Sequence, residues 1–128
     1  MLLLGGIHFL YTFWGNKLAP RDPALQEAMS ATSMVLTSET TVWRAWVGFN
    51  ASHSMCAVFF ALVFGFLALC HPELLFRSIY LQVLGVVLLL GFVVLAKFYW
   101  FSIPLVGVSL ALVCFLAGLA AARLQASS

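Results

Sequence analysis

LLFRSIYLQVLGVVLLLGFVVLA, residues 74–96, decides how the rest of the chain is read. A bilayer core about 30 Å thick needs roughly 20 helical residues at about 1.5 Å each, and this run meets that length. Two neighbouring runs meet it as well, residues 45–70 before it and residues 101–122 after it. Only short polar joints separate the three, His71–Glu73 and Lys97–Trp100. Consecutive spans joined so tightly must run antiparallel.

Composition points the same way. The chain has 128 residues, of which 64% are hydrophobic and only 8% charged. A water-soluble domain carries about 25% charged residues, so this surface is far too apolar for water. A single integral membrane domain covering residues 1–128 is expected. The net charge is +2, and no run of Lys or Arg offers a phosphate-tracking patch, so nucleic acid is not an expected partner. The three cysteines, Cys56, Cys70 and Cys114, form no C-x-x-C pair and read as small apolar residues.

The first apolar stretch, residues 2–14, is shorter. It gives roughly 20 Å of helix, less than a comfortable crossing. A signal-like segment would have a basic stretch before it and a small-residue cleavage site after it, and neither is present. The expectation is that the native span starts upstream of Met1. The fold class expected is therefore all-α, a four-helix transmembrane bundle.

Residues 15–44 form the sizeable polar segment. Asp22-Pro23 reads as a helix start, with Asp22 as N-cap and Pro23 in the first turn. Leu25, Met29, Thr32 and Leu36 recur at helical spacing, with Gln26, Glu27 and Ser30 off that stripe. A short amphipathic helix on the membrane surface is expected, with an ordered loop as the plainer alternative. Ser38-Glu39 offers a second N-cap leading into the next span.

Trp43, Arg44 and Trp46 open the second span, and Lys97, Tyr99 and Trp100 close the third. Aromatic and basic residues at headgroup depth make the usual belt. Ser102 and Pro104 suit the first turn of the fourth helix. With four spans, Lys17, Arg21, Arg44 and Lys97 share one side, and Arg77 and Arg123 the other. That bias puts the long polar segment in the cytoplasm.

Small residues let helices approach in lipid. The second span carries Asn50, Ser54, Ala57, Ala61, Gly65 and Ala68 on one face, and the fourth carries Gly107, Ala111, Cys114 and Gly118. Gly85 and Gly91 offer close approach on the third. These faces are expected to line the bundle interior; outward faces used for self-association are the alternative.

Polar groups within apolar spans are costly, so each needs a reason. His8, Tyr11 and Thr12 share one side of the first stretch, and Asn50, His53 and Ser54 one side of the second. His8 lies seven residues before Gly15 and His53 nine after Arg44, so both sit roughly 10–14 Å below the same surface. The plain reading is an interhelical polar clamp. A sharper one is a small-ligand or proton-relay site of His8, Tyr11, Asn50, His53 and Ser54, with Arg44 at its mouth gripping an anion. A third is a b-type haem held by His8 and His53; no other cofactor and no other metal is expected. Arg44 has its own plain reading, snorkelling to the headgroups, as does Lys97. His71, beside Pro72, reads as a solvated turn residue.

Acidic residues are missing from all the spans, so a carboxylate proton-coupling site is absent. The chain also lacks a phosphate loop, an H-E-x-x-H motif and a nucleophile–base–orienter set. An enzyme is not favoured.

Gly6-Ile7-His8, Tyr11-Thr12, Lys17-Leu18, Pro20-Arg21-Asp22, Trp43-Arg44-Ala45-Trp46, Gly48-Phe49-Asn50 and Ser52-His53-Ser54 resemble a group of small bacterial membrane proteins of roughly four spans with no established activity. The resemblance covers about the first half of the chain. It implies a bacterial cytoplasmic (inner) membrane location and carries over no catalytic or ligand residue. DoxX-like proteins are a looser likeness, at the level of architecture only. The function expected is a membrane scaffold or accessory subunit. Its partners would be the lipid bilayer and either another membrane protein or a second copy of the chain.

Overall fold

Asp22 and Pro23 start a helix where the sequence places one. A computed structural model describes residues 1–126. Its elements are α1 (Leu2–Phe13), α2 (Pro23–Ala31), α3 (Val42–Cys70), α4 (Pro72–Arg77), α5 (Ile79–Tyr99) and α6 (Ser102–Ala126). The described chain is all-helical, apart from one isolated antiparallel bridge between Ser33 and Thr41. Three helices, α3, α5 and α6, are long and apolar enough to cross a membrane. At 12 residues, α1 reaches only about 18 Å.

Local chemistry sets the boundaries. Gly15 follows α1 at φ +92°, a left-handed conformation that terminates a helix readily only in glycine. Asp22 accepts from the Ala24 N–H at 3.0 Å, and Pro23 occupies the first turn of α2. The helix is shorter than the stripe predicts. It stops at Ala31 because Thr32 turns extended, so Thr32 and Leu36 lie outside it. The N-cap before the long helix also differs from expectation. The Thr41 hydroxyl, not Ser38, accepts the Arg44 N–H at 3.3 Å, and α3 begins at Val42. The Glu39 N–H instead bonds the Thr37 hydroxyl in a local turn.

The run at 74–96 is divided rather than continuous. Pro72 opens α4, Arg77 closes it, and Ser78 leaves the helical conformation with φ −87° and ψ 103°. The Ser78 hydroxyl then accepts the Leu81 N–H and starts α5 at Ile79. The span is therefore Ile79–Tyr99, shifted toward the C-terminus. A serine that satisfies an otherwise orphan helix N–H outweighs the apolar continuity around it.

The chain divides into two compact units, Leu2–Val58 and the part from Phe59 onward together with Met1; α3 contributes to both. In the first unit α1 lies antiparallel to the first half of α3. In the second, Phe60, Phe64, Leu75 and Leu89 form a buried cluster, with Leu89 fully enclosed. The Phe60 and Phe64 rings stack at 4.5 Å, and Phe115 of α6 meets Phe64 edge-on at 5.6 Å. Gly85 makes room for this: a Cβ there would lie 2.6 Å from the Phe115 ring.

The packed faces thus set large rings against one glycine, Gly85. On α3 the buried row below Ala57 runs through Phe60 and Phe64, while Ala61 and Gly65 are half-buried and Ala68 is exposed. On α6 it runs through Val108, Ala111, Leu112 and Phe115; Gly107 is half-buried, and Cys114 and Gly118 are exposed. A Cβ at Gly65, Gly91 or Gly118 would meet nothing within 4 Å. One deep glycine notch on α5 calls for large opposing rings to fill native packing density.

Candidate functional site

Gly5 is the pivot of the first unit. A Cβ there would sit 3.0 Å from the Ala57 Cβ and 3.1 Å from the Ser54 carbonyl oxygen. Ser54 folds its hydroxyl back onto the Asn50 carbonyl at 2.7 Å and is completely buried. It therefore presents no unsatisfied polar group to the approaching helix. One turn further along α1, His8 comes level with Asn50 and His53.

His8 Nε2 lies 3.0 Å from Asn50 Oδ1, and Asn50 is only 7% exposed. Asn50 Nδ2 donates to the Trp46 carbonyl at 2.9 Å. That second bond fixes the amide, because a carbonyl can only accept. Reversing the amide would set two oxygens face to face. Asn50 Oδ1 must then accept from His8, so His8 Nε2 carries the proton. Thr12 donates its hydroxyl to the His8 carbonyl at 2.9 Å, which ties the next turn of α1. His53 is half-buried; its ring meets His8 edge-on at 5.6 Å and lies nearly parallel to Phe49 at 6.3 Å.

A small cavity of about 110 Å³ opens beside this pair, toward the polar segment. Tyr11, Thr12, Gln26, Trp43, Trp46 and Asn50 are among its walls. The Trp46 indole N–H reaches the Leu18 carbonyl at 3.0 Å and pins the loop over the cavity. The loop from Ser33 to Thr41 is closed at its base, where the Val42 N–H bonds the Thr32 carbonyl at 2.9 Å.

The structure brings together His8, Asn50, His53 and Ser54, and sets Tyr11 on the cavity wall. Arg44 stands apart. It is exposed, and it lies off the face made by Trp43, Trp46, Val47 and Asn50. One residue along a helix turns about 100°, which carries its side chain away from that wall. Two axial ligands of one iron turn ring nitrogens toward a common point. Here His8 turns Nε2 to Asn50, and the two imidazoles meet edge to face.

Sequence reasoning missed a second polar constellation. Gln82 of α5 is 7% exposed and donates Nε2 to the Phe76 carbonyl at 2.7 Å, a terminal acceptor of α4. Its Oε1 accepts from Arg123 Nη2 at 3.3 Å. The signal was an amide inside an apolar span, which is costly unless partnered. Among the described residues no group of three or more His, Cys, Asp or Glu is placed to hold a metal ion. Compared with known proteins, the chain matches no family model, no curated protein and no solved structure.

Proposed function

We propose that this chain is a multi-pass protein of a bacterial cytoplasmic membrane, folded as a four-helix bundle around α1, α3, α5 and α6. It acts there as a scaffold or accessory subunit, and α2 lies at the membrane surface. The observation that carries this reading is the direct His8–Asn50 hydrogen bond, continued from Asn50 to the Trp46 carbonyl. Polar groups inside the helix pair are spent on one another and on the backbone, which fits a clamp better than a reaction centre. Interhelical bonds of this kind contribute about 0.6 kcal/mol on average. The resemblance of the first half to small bacterial membrane proteins supports the location.

The test is recovery of the tagged full chain from native membranes in a mild detergent. A membrane-protein partner or a second copy is expected to remain with it. A strictly solitary chain would sink the scaffold reading.

The cavity of about 110 Å³ beside Tyr11, Thr12 and Asn50 favours a second reading, a small-ligand binding or transport site. On that reading, His53→Ala abolishes function while folded protein persists. On the clamp reading, His8→Ala lowers the yield of folded protein instead. The haem alternative predicts a Soret band lost in His8→Ala; the clamp reading expects no Soret band in the purified protein.

A further inference from the structure

A second hollow lies far along the chain from the His8 site. It is an open groove of about 720 Å³ between α5 and α6. Ile79, Val83 and Val87 line one wall, and Leu116, Leu119 and Ala120 the other. From Ile79 to Val87 the groove runs about 12 Å, close to the roughly 15 Å depth of one leaflet's hydrocarbon. Such a trough suits an alkyl chain and offers little to a small polar solute.

Its mouth carries a charge. Arg123 lines the groove at the end of α6, with Gln82 beside it. Arg77, on the short helix α4 that Gln82 also binds, sits 3.8 Å from Glu73. Among the described residues, no carboxylate lies within ion-pair distance of Arg123. Its shown hydrogen bond is to Gln82 Oε1, which uses one of the five donors of a guanidinium. Gln82 is itself buried and held by the α4 carbonyls, so its Oε1 anchors one edge of the guanidinium while Arg123 stays exposed.

We infer that the α5–α6 groove holds one acyl chain of an anionic phospholipid whose phosphate is bound by Arg123. Arginine presents a planar fork that matches two phosphate oxygens, and the trough below it takes the tail. The positive charge at the mouth selects a lipid with net negative charge over a zwitterionic one. This inference rests on the reading that α5 and α6 cross a bilayer.

The experiment uses the full chain in detergent micelles doped with equal amounts of phosphatidylglycerol and phosphatidylcholine bearing identical tails. Native mass spectrometry counts the retained lipids. One phosphatidylglycerol per chain is expected, preferred about fivefold, as one basic residue near a membrane surface gives. Arg123→Ala should abolish the preference, and Arg77→Ala should keep it. Val87→Trp should obstruct the deep end of the groove and remove the retained lipid while Arg123 stays in place. Equal retention of both lipids by the unaltered chain overturns the inference, as does a preference that survives Arg123→Ala. If Arg123→Ala fails to fold by circular dichroism, Val87→Trp decides alone, and undiminished retention overturns the inference. Carbonate extraction of native membranes separates the two failures. A chain released as soluble protein sinks the membrane-spanning reading; a chain that stays membrane-bound yet retains no lipid sinks only the groove.

Discussion

His8 and Asn50 show how a single pair follows from elementary bookkeeping of donors and acceptors. The Trp46 carbonyl orients Asn50, Asn50 orients His8, and a proton is placed on His8 Nε2. Replacing either partner strands the other in a low-dielectric site, at about 1–3 kcal/mol. His8→Phe and Asn50→Leu are each expected to destabilise the protein by such an amount. The double variant should cost less than the sum of the two. Unfolding in mixed lipid–detergent micelles measures this cycle, and strict additivity would mean the pair is not coupled. Much of this pairing is legible in the sequence, because counting residues from Gly15 and Arg44 puts His8 and His53 at one depth. The partner chosen is not legible. Depth alone does not say that Asn50, rather than His53, takes the His8 hydrogen bond; the rotation of α1 about its axis decides that. Gln82 is less legible still. It sits inside a run whose hydropathy overwhelms one amide, and its partner Arg123 is 41 residues away.

Gly5 and Gly85 are two glycines at which helices of this molecule come into close contact. Gly5 admits Ala57 and Ser54, and Gly85 admits Phe115 and Phe64. Their neighbours Gly6 and Gly91 have open space where a side chain would stand. Gly85→Val and Gly5→Val are therefore expected to lower thermal stability by about 1–3 kcal/mol, the usual cost of overpacking a filled site. Gly6→Val and Gly91→Val serve as matched controls. They should stay close to the parent protein, apart from small effects of β-branching on the helix. Thermal melting in micelles reads all four, and equal losses would show that the close approaches are not specific. Small residues in an apolar run signal close approach without saying which of them are used. Ala61, Gly65 and Gly118 share the spacing of a packing seam, yet the seam follows Phe60, Phe64 and Phe115, because the notch on the facing helix needs volume opposite it. The break at Ser78 was hidden for a related reason. Hydropathy averages over a serine, whereas the helix end depends on one hydroxyl reaching the Leu81 N–H.

Across the whole molecule, the class of the protein is the most legible property, because it rests on composition. With 8% charged residues, the chain has no way to cover its apolar surface with polar groups. The long helices accordingly keep large side chains such as Phe59, Leu69, Ile79 and Val106 well exposed. In a bilayer those positions face lipid and need no partner. Sidedness is less legible, since it turns on a small difference in Lys and Arg between short loops. The crossings themselves are open to a direct test. If α3, α5 and α6 each cross once, the segment before Val42 and the joint at Tyr99 lie on one side, and the turn around Glu73 lies on the other. Single cysteines at Ser38, Glu73 and Tyr99, in a chain whose Cys56, Cys70 and Cys114 are replaced by serine, report this through a membrane-impermeant maleimide. Inverted vesicles are expected to label Ser38→Cys and Tyr99→Cys, with Glu73→Cys labelled only from the opposite, intact-cell side. Labelling of Ser38→Cys and Glu73→Cys from the same side would mean that α3 does not cross. With Glu73→Cys still opposite Tyr99→Cys, reversal of the whole pattern would leave the crossings intact and invert the orientation alone.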